Sequence, residues 1–467
     1  MSGESAARGR RDGWGPAAVF AFVLAAQLFL VARAGTDIPF QDQWDVEGRA
    51  LYPAWRDGTM HAADLLRPHN EHRIGWTQAL DLALFAVNGQ WDPLVQLAAG
   101  ALLRAAVAAG LAAMLARGTG PGGRVGVAMG VALAFLPHLA WQNALWGFQS
   151  QVYFVLLFSL AALALLGDRE RSPRQVAAGW AAGGAALLAM GAGAFVPVVL
   201  LGLAALRAAE RRWFDGSFWR EAWPALALLA LAGALRTAVP AHDGLRAATW
   251  SQFCNAFGRA LAWPHTWFPA AALVLNLPLA IAVTARLAGR RRAADGEDRV
   301  LLLGGWAVAA AGAMAWARGG GDEFAAGVPS RYVDFLVLLP IANAWCAVVL
   351  AREAAGRGRR VGRIAAATWA AFLFAGWLGL SSEVMRGLVW PRIRDRDAPV
   401  RLAVAFQRSG DPAVLAGQPR LYVPHPNPAT VLAVLRDPRL RGALPPSFQP
   451  GEPMGPLSRG VRAVLGR

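Results

Sequence analysis

AAVFAFVLAAQLFLVARA, residues 17–34, runs directly into GTDIPFQDQWDVEGR, residues 35–49. The first stretch is apolar but for Gln27 and Arg33, and a helix of about 20 such residues crosses a bilayer. It is too long for a signal-peptide core, and no A-x-A-like site clearly follows. It therefore reads as a retained first span with a basic lead, MSGESAARGRR. The second stretch is its opposite in character. Asp37, Asp42, Asp45 and Glu47 fall within eleven residues just beyond the span.

Apolar runs recur outward from this junction, at 93–116, 125–140, 152–167, 175–191, 194–208, 223–239, 268–286, 300–317, 332–351 and 364–381. With 16–34 they make about eleven crossings by the ~20-residue criterion. The expected fold is an all-α integral membrane protein. Residues 1–381 would form the polytopic module, with 35–92 as a large first outer loop. Residues 382–467 would be a Pro- and Arg-rich extracytoplasmic tail, with a strand at 420–423 and a helix after Pro428.

Composition supports this class. Of 467 residues 56% are hydrophobic and 16% charged, against about 25% charged in an average soluble domain. The net charge is +16 and every basic residue is arginine. Nucleic-acid binding is excluded as the meaning of that charge, because the arginines are dispersed rather than gathered on one patch. They sit in short loops, 22 on the side of the N-terminus and 8 on the other side before the tail. The positive-inside rule then puts the N-terminus in the cytoplasm. Abundant Ala and Gly with no lysine point to a GC-rich bacterial genome, hence the bacterial inner (plasma) membrane. A crossing at 71–88 would reverse the asymmetry, so that segment reads as an amphipathic helix in the outer interface. Cys254 and Cys346 read as unpaired thiols. No internal repeat of the transporter kind is visible.

Polar clusters gather on the outer side. Asp42 and Asp45, three apart, share a helix face, and a carboxylate at the membrane surface can serve as a general base. Glu47, two residues on, is a candidate substrate ligand; the alternative is an ordinary acidic loop. His69, Asn70, Glu71, His72 and Arg73 could bind a polar substrate or phosphate, or simply pack a loop. HxxH spacing lacks the HExxH pattern of a zinc protease, and neither metal nor cofactor is expected. In 141–151, Trp141 and Trp146 fit an aromatic belt. The amides Asn143, Gln149 and Gln151 add edges suited to a sugar ring. Arg331 and Tyr332 open a span, where Arg331 suits a phosphate or snorkels as an anchor. Arg104, inside a span, faces either a lipid-linked phosphate or an ion-pair partner, as does Arg236.

This layout resembles the GT-C class of membrane glycosyltransferases: one span, a large Asp-rich outer loop, Ser330–Arg331–Tyr332 before a later span, and an outer tail. HNEHR-like and WGFQ-like segments are similar to those of a bacterial branch. The tail departs from the protein mannosyltransferase and oligosaccharyltransferase branches, having no WWD-type motif and no large soluble domain. The resemblance implies Asp42 as catalytic base, with Asp45 second. It implies a polyprenyl-phosphate-linked sugar as donor, a glycan or lipid acceptor among the membrane lipids, and inversion at the anomeric carbon. The rival is a transporter or flippase of a lipid-linked glycan.

Overall fold

The computed structural model describes residues 14–117, 119–211, 216–236, 243–325, 327–354 and 356–467. The basic N-terminal lead and parts of the expected loops 207–222 and 240–267 lie outside them. The long helices are α1 (Trp14–Ala34), α2 (Gly75–Asn88), α3 (Pro93–Ala116), α4 (Pro121–Ala134), α5 (Ser150–Leu166) and α6 (Pro173–Ala189). They continue with α7 (Phe195–Arg211), α8 (Gly216–Arg236), α9 (Trp250–Leu261), α10 (Leu277–Leu287), α11 (Glu297–Arg318) and α12 (Leu338–Glu353). After α13 (Gly356–Val384), the tail adds α14 (Ala398–Ser409), α15 (Pro428–Leu435) and α16 (Pro456–Leu465). Among the described residues the one sheet is a two-stranded hairpin, β1 (Pro68–His69) and β2 (His72–Arg73).

Seven helices among the described residues are long and apolar enough to cross a membrane: those around α1, α3, α5, α7, α11, α12 and α13. The other four expected spans overlap α4, α6, α8 and the broken helix around α10, and two of them are interrupted. The helix in 125–140 stops at Ala134, shortly before Pro137, as a residue ahead of proline leaves the helical region. In 268–286 the helix breaks at Asn276. Asn343 on α12 repairs the break, accepting from the Leu279 amide at 3.0 Å and donating to Asn276 at 3.1 Å. Broken backbone in a bundle needs such polar partners.

The helices form by simple means. Alanine and leucine favour helix, and Asp92, Ser172, Thr249 and Asn427 cap their first turns with side-chain oxygens. Gly179 and Gly183 let α6 lie close to its neighbours: a Cβ would stand 2.6 Å from Leu166 at the first and 2.6 Å from Leu228 at the second. The main core holds Val23, Leu111, Phe135, Leu156, Trp306 and Leu336.

A second core sits where the first loop meets the tail. Trp44, Tyr52, Phe85 and Trp91 pack with Phe406, Val431, Leu440 and Phe448. Polar ties seal it. Asp37 accepts from Ser447 N and Oγ at 2.9 and 2.7 Å, and Arg462 bridges Asp37 and Asp92. The tail is thus a cap built jointly with residues 35–92. The expected strand at 420–423 is absent; these residues turn so that the Tyr422 amide reaches the Pro419 carbonyl and Leu421 offers its own to Arg392. The expected helix after Pro428 is α15.

Helix ends sort into two faces. Asp298, at the start of α11, joins Arg207 and Arg286 at 2.6 and 2.8 Å, with Glu210 and Glu221 adjoining. Arg318, at the other end of the same helix, pairs with Glu71 of the first loop at 2.7 Å. The candidate site lies on this second face.

Candidate functional site

The first loop leaves α1 and turns at Gln41, whose φ of +51° is left-handed. The Gln41 amide is tied to the Pro424 carbonyl at 2.7 Å, so the tail braces the bend. A helical stretch starts immediately after, anchored by the buried Trp44 indole donating to the Pro39 carbonyl at 2.8 Å. Asp42 and Asp45 then project from one turn, each 35% exposed.

Each carboxylate has an imidazole. Asp42 Oδ2 lies 3.7 Å from His69 Nε2. Asp45 Oδ2 accepts from His425 Nε2 at 3.0 Å. That hydrogen bond holds Asp45 below the usual carboxylate range. Burial works against a charged His425, but its bonds to Asp45 and the Asn427 carbonyl outweigh it and raise the imidazole above its ordinary value. His425 Nδ1 lies 3.1 Å from both the amide and the carbonyl of Asn427, so it is served in either protonation state. Asp42 and Asp45 are equally exposed, but Asp42 has the longer contact to its imidazole.

Glu47, on the opposite side of the same helical stretch, faces inward. It accepts from Gln96 at 2.7 Å, from Tyr52 at 3.1 Å and from Gln43 at 3.5 Å. Burial raises its carboxyl to about 7 despite those donors, and burial beside Glu47 raises that of Asp81 well above its ordinary value. The expectation that Glu47 binds substrate meets a fully buried side chain that instead ties the loop to α3.

The WGFQ segment packs onto this network. A Cβ on Gly147 would stand 2.8 Å from Gln96 Oε1 and 3.1 Å from Gln43 Nε2, so only glycine brings the segment that close. Trp146 meets Phe40 edge-on at 5.6 Å, and Phe148 meets His69 at 5.5 Å. Gln149 and Gln151 are buried beside them. The three sequence clusters around Asp42, His69 and Trp146 are therefore one place.

HNEHR is the hairpin itself, turned at Asn70 with φ +48°. It distributes its side chains. His69 faces Asp42, and Asn70 bonds to His69 Nε2 at 3.0 Å. Glu71 pairs with Arg318, and Arg73 donates to the carbonyls of Leu66 and Leu235. His72 reaches the Gly191 turn, where burial lowers it to about 4.

Arg104 is fully buried and closed on Asp334 at 2.8 Å and the Phe135 carbonyl at 2.8 Å. Asn143 donates to the same Asp334 at 2.9 Å. Both sequence-expected binding residues thus serve an internal ion pair. Arg331 lies over the Tyr332 ring at 4.9 Å, with its amide held by Gln142 Oε1 at 3.1 Å.

Gln142 leads to a groove the sequence did not announce. Phe40, Trp141, Trp146 and Tyr422 line a narrow groove of about 40 Å³. Arg392 lies in its wall, bonded to the Leu421 carbonyl at 2.9 Å and set over Tyr422 at 5.8 Å. Burial lowers its guanidinium to about 10. Arg392 and His425 come from the tail and had no local pattern to mark them. One signal was present: His425 is the tail's single histidine.

The chain matches no protein-family model and no curated protein. The site's chemistry is read from geometry. It offers a part-exposed carboxylate with an imidazole beside it, a second carboxylate whose hydrogen bond to His425 favours its ionised form, and an aromatic groove with a cation in its wall.

Proposed function

We propose that the chain is a multi-pass glycosyltransferase of the bacterial plasma membrane. It moves a sugar from a polyprenyl-phosphate donor to a cell-envelope glycan or lipid acceptor on the outer face. The observation that carries this reading is the meeting of Asp42 and His69 beside a groove of Phe40, Trp141, Trp146 and Tyr422 with Arg392 in its wall. Aromatic faces suit sugar rings and prenyl chains, and a planar guanidinium suits a phosphate.

In this reading Asp42 takes the proton of an acceptor hydroxyl. The oxygen attacks the anomeric carbon from the side opposite the phosphate. The bond from carbon to phosphate oxygen breaks, and polyprenyl phosphate leaves with its electron pair. The configuration inverts. His69 orients Asp42, and the Asp45–His425 pair holds the turn in place. Arg392 and Arg331 stabilise the departing phosphate.

We place eleven crossings in the bundle, with a cytoplasmic N-terminus and an outer tail. The arginine asymmetry and the sorting of helix ends support that topology. The rival, a transporter or flippase of a lipid-linked glycan, calls for substrate and ion sites near the midplane. The buried Arg104–Asp334 pair is closed on itself instead. The two readings separate in proteoliposomes given a polyprenyl-phosphate-linked sugar. Acceptor-dependent release of free polyprenyl phosphate supports transfer. Movement of the intact lipid-linked sugar without release overturns it.

A further inference from the structure

The HNEHR hairpin carries a second polar cluster besides the His69–Asp42 contact. Three arginines from separate parts of the chain gather there. Arg73 comes from β2, Arg236 from the end of α8 and Arg318 from the end of α11. Arg318 Nη2 pairs with Glu71 Oε2 at 2.7 Å. Arg236 Nη1 donates to the Glu71 carbonyl at 3.3 Å. Arg73 Nε donates to the carbonyl of Leu235, the neighbour of Arg236, at 3.2 Å. Glu71 thus answers Arg318 with a full charge, while Arg73 and Arg236 are held by carbonyl dipoles.

Among the described residues, two buried nitrogens at this place have no hydrogen-bond partner: Arg318 Nη1 and His72 Nδ1. An unpaired buried donor costs about 1–3 kcal/mol, so a ligand that accepts from Arg318 Nη1, and from His72 Nδ1 in the tautomer protonated there, recovers that cost. The nearby Gly191 keeps the approach open; a Cβ there would stand 2.9 Å from His72 Nδ1 and 3.9 Å from Arg236 Nη1. The required ligand is compact, anionic and rich in acceptors. A tetrahedral phosphate meets all three terms, because guanidinium forks match its oxygens.

We propose that Arg73, Arg236 and Arg318, gathered around Glu71 and His72, form a second anion site that takes a phosphate group, and that this group belongs to the acceptor lipid. The acceptor role rests on the glycosyl-transfer reading; phosphate binding does not. The hairpin then has a mechanical meaning. His69 on one strand touches the base, and the partner strand, His72–Arg73, would hold the acceptor's headgroup. A bound acceptor would lie across the hairpin with its hydroxyl toward Asp42.

The full chain in phosphatidylcholine nanodiscs provides the test, read by the thermal unfolding midpoint. One arm titrates inorganic phosphate; another replaces part of the lipid with phosphatidylglycerol. A saturable rise with phosphate supports the site. A rise with phosphatidylglycerol alone identifies a lipid headgroup as its source. Arg236 is exposed, so Arg236→Gln leaves the fold intact and weakens the apparent affinity by about tenfold, the loss of one charge-assisted hydrogen bond. Arg236→Lys recovers part of that loss. No saturable response in either arm, or an unchanged affinity in Arg236→Gln, overturns the site. Phosphate binding with acceptor turnover untouched by Arg236→Gln overturns the acceptor role alone. A chain that binds phosphate and shows no sugar transfer at all refutes the functional reading and leaves the anion site standing.

Discussion

Asp45 and His425 are 380 positions apart in sequence and 3.0 Å apart in space. Their pairing has a pH signature. The His425 value is raised, so its contribution is full below the ordinary histidine value near 6.5 and fades as pH rises through the raised one. The Asp45 value is lowered, so its contribution is full above about 3.9 and fades as pH falls through the lowered one. The pair therefore stabilises most between about pH 4 and 6.5. Since Asp45 is a third exposed, the expected size is about 1 kcal/mol or less. The unfolding midpoint of wild type minus that of His425→Gln should be largest near pH 5–6 and shrink by pH 8.5. A difference that stays flat would remove the ion pair. Sequence showed half of this site. Asp42, Asp45, His69 and Trp146 stood in dense local patterns. His425, Gln96 and Arg392 are single polar residues whose meaning arises only from contacts across the fold.

The elements were legible wherever hydrophobic runs set them. Among the described residues each expected span overlaps a helix, because long apolar stretches have few other ways to satisfy their backbone. Segment 71–88 was expected to lie along the interface; its helix α2 has 14 residues, about 21 Å at 1.5 Å per residue. That is short of a ~30 Å hydrocarbon layer. The hairpin and the amphipathic α9 were not foreseen, since short elements give weak periodic signals. The tail's union with the first loop was equally hidden. Arg462 locks it by bridging Asp37 and Asp92, both buried. Arg462→Ala leaves two buried carboxylates without their cation and should cost about 3–5 kcal/mol of local stability. Limited proteolysis in detergent would then cut within 382–467 while leaving the helices intact. Equal resistance in wild type and variant would show that the apolar core alone holds the cap. At the hairpin, Asn70 has a left-handed backbone that Gly adopts freely and a β-branched residue resists. Asn70→Gly should keep the hairpin, whereas Asn70→Val should destabilise it by about 1–3 kcal/mol, visible as faster hydrogen exchange at 66–75.

At the scale of the molecule, arginine placement and helix-end contacts give one arrangement. In the proposed topology the network around Asp298, Arg207 and Arg286 would face the cytoplasm, and the first loop and tail would face outward. Glu452 is exposed in the tail. In a background with Cys254→Ser and Cys346→Ser, Glu452→Cys should react with an impermeant maleimide in intact cells. Reaction only after permeabilisation would invert the topology.

The outward face is where the chemistry is proposed, and Asp42 is its centre. General-base help is worth about 10²–10⁴-fold. The direct measurement is single-turnover sugar transfer by purified protein in a bilayer, comparing wild type with Asp42→Asn at equal donor binding. The account expects Asp42→Asn to bind donor normally and to lose transfer by about 10²–10⁴-fold, with Asp45→Asn losing less. Undiminished transfer in the Asp42→Asn, Asp45→Asn double variant would contradict it.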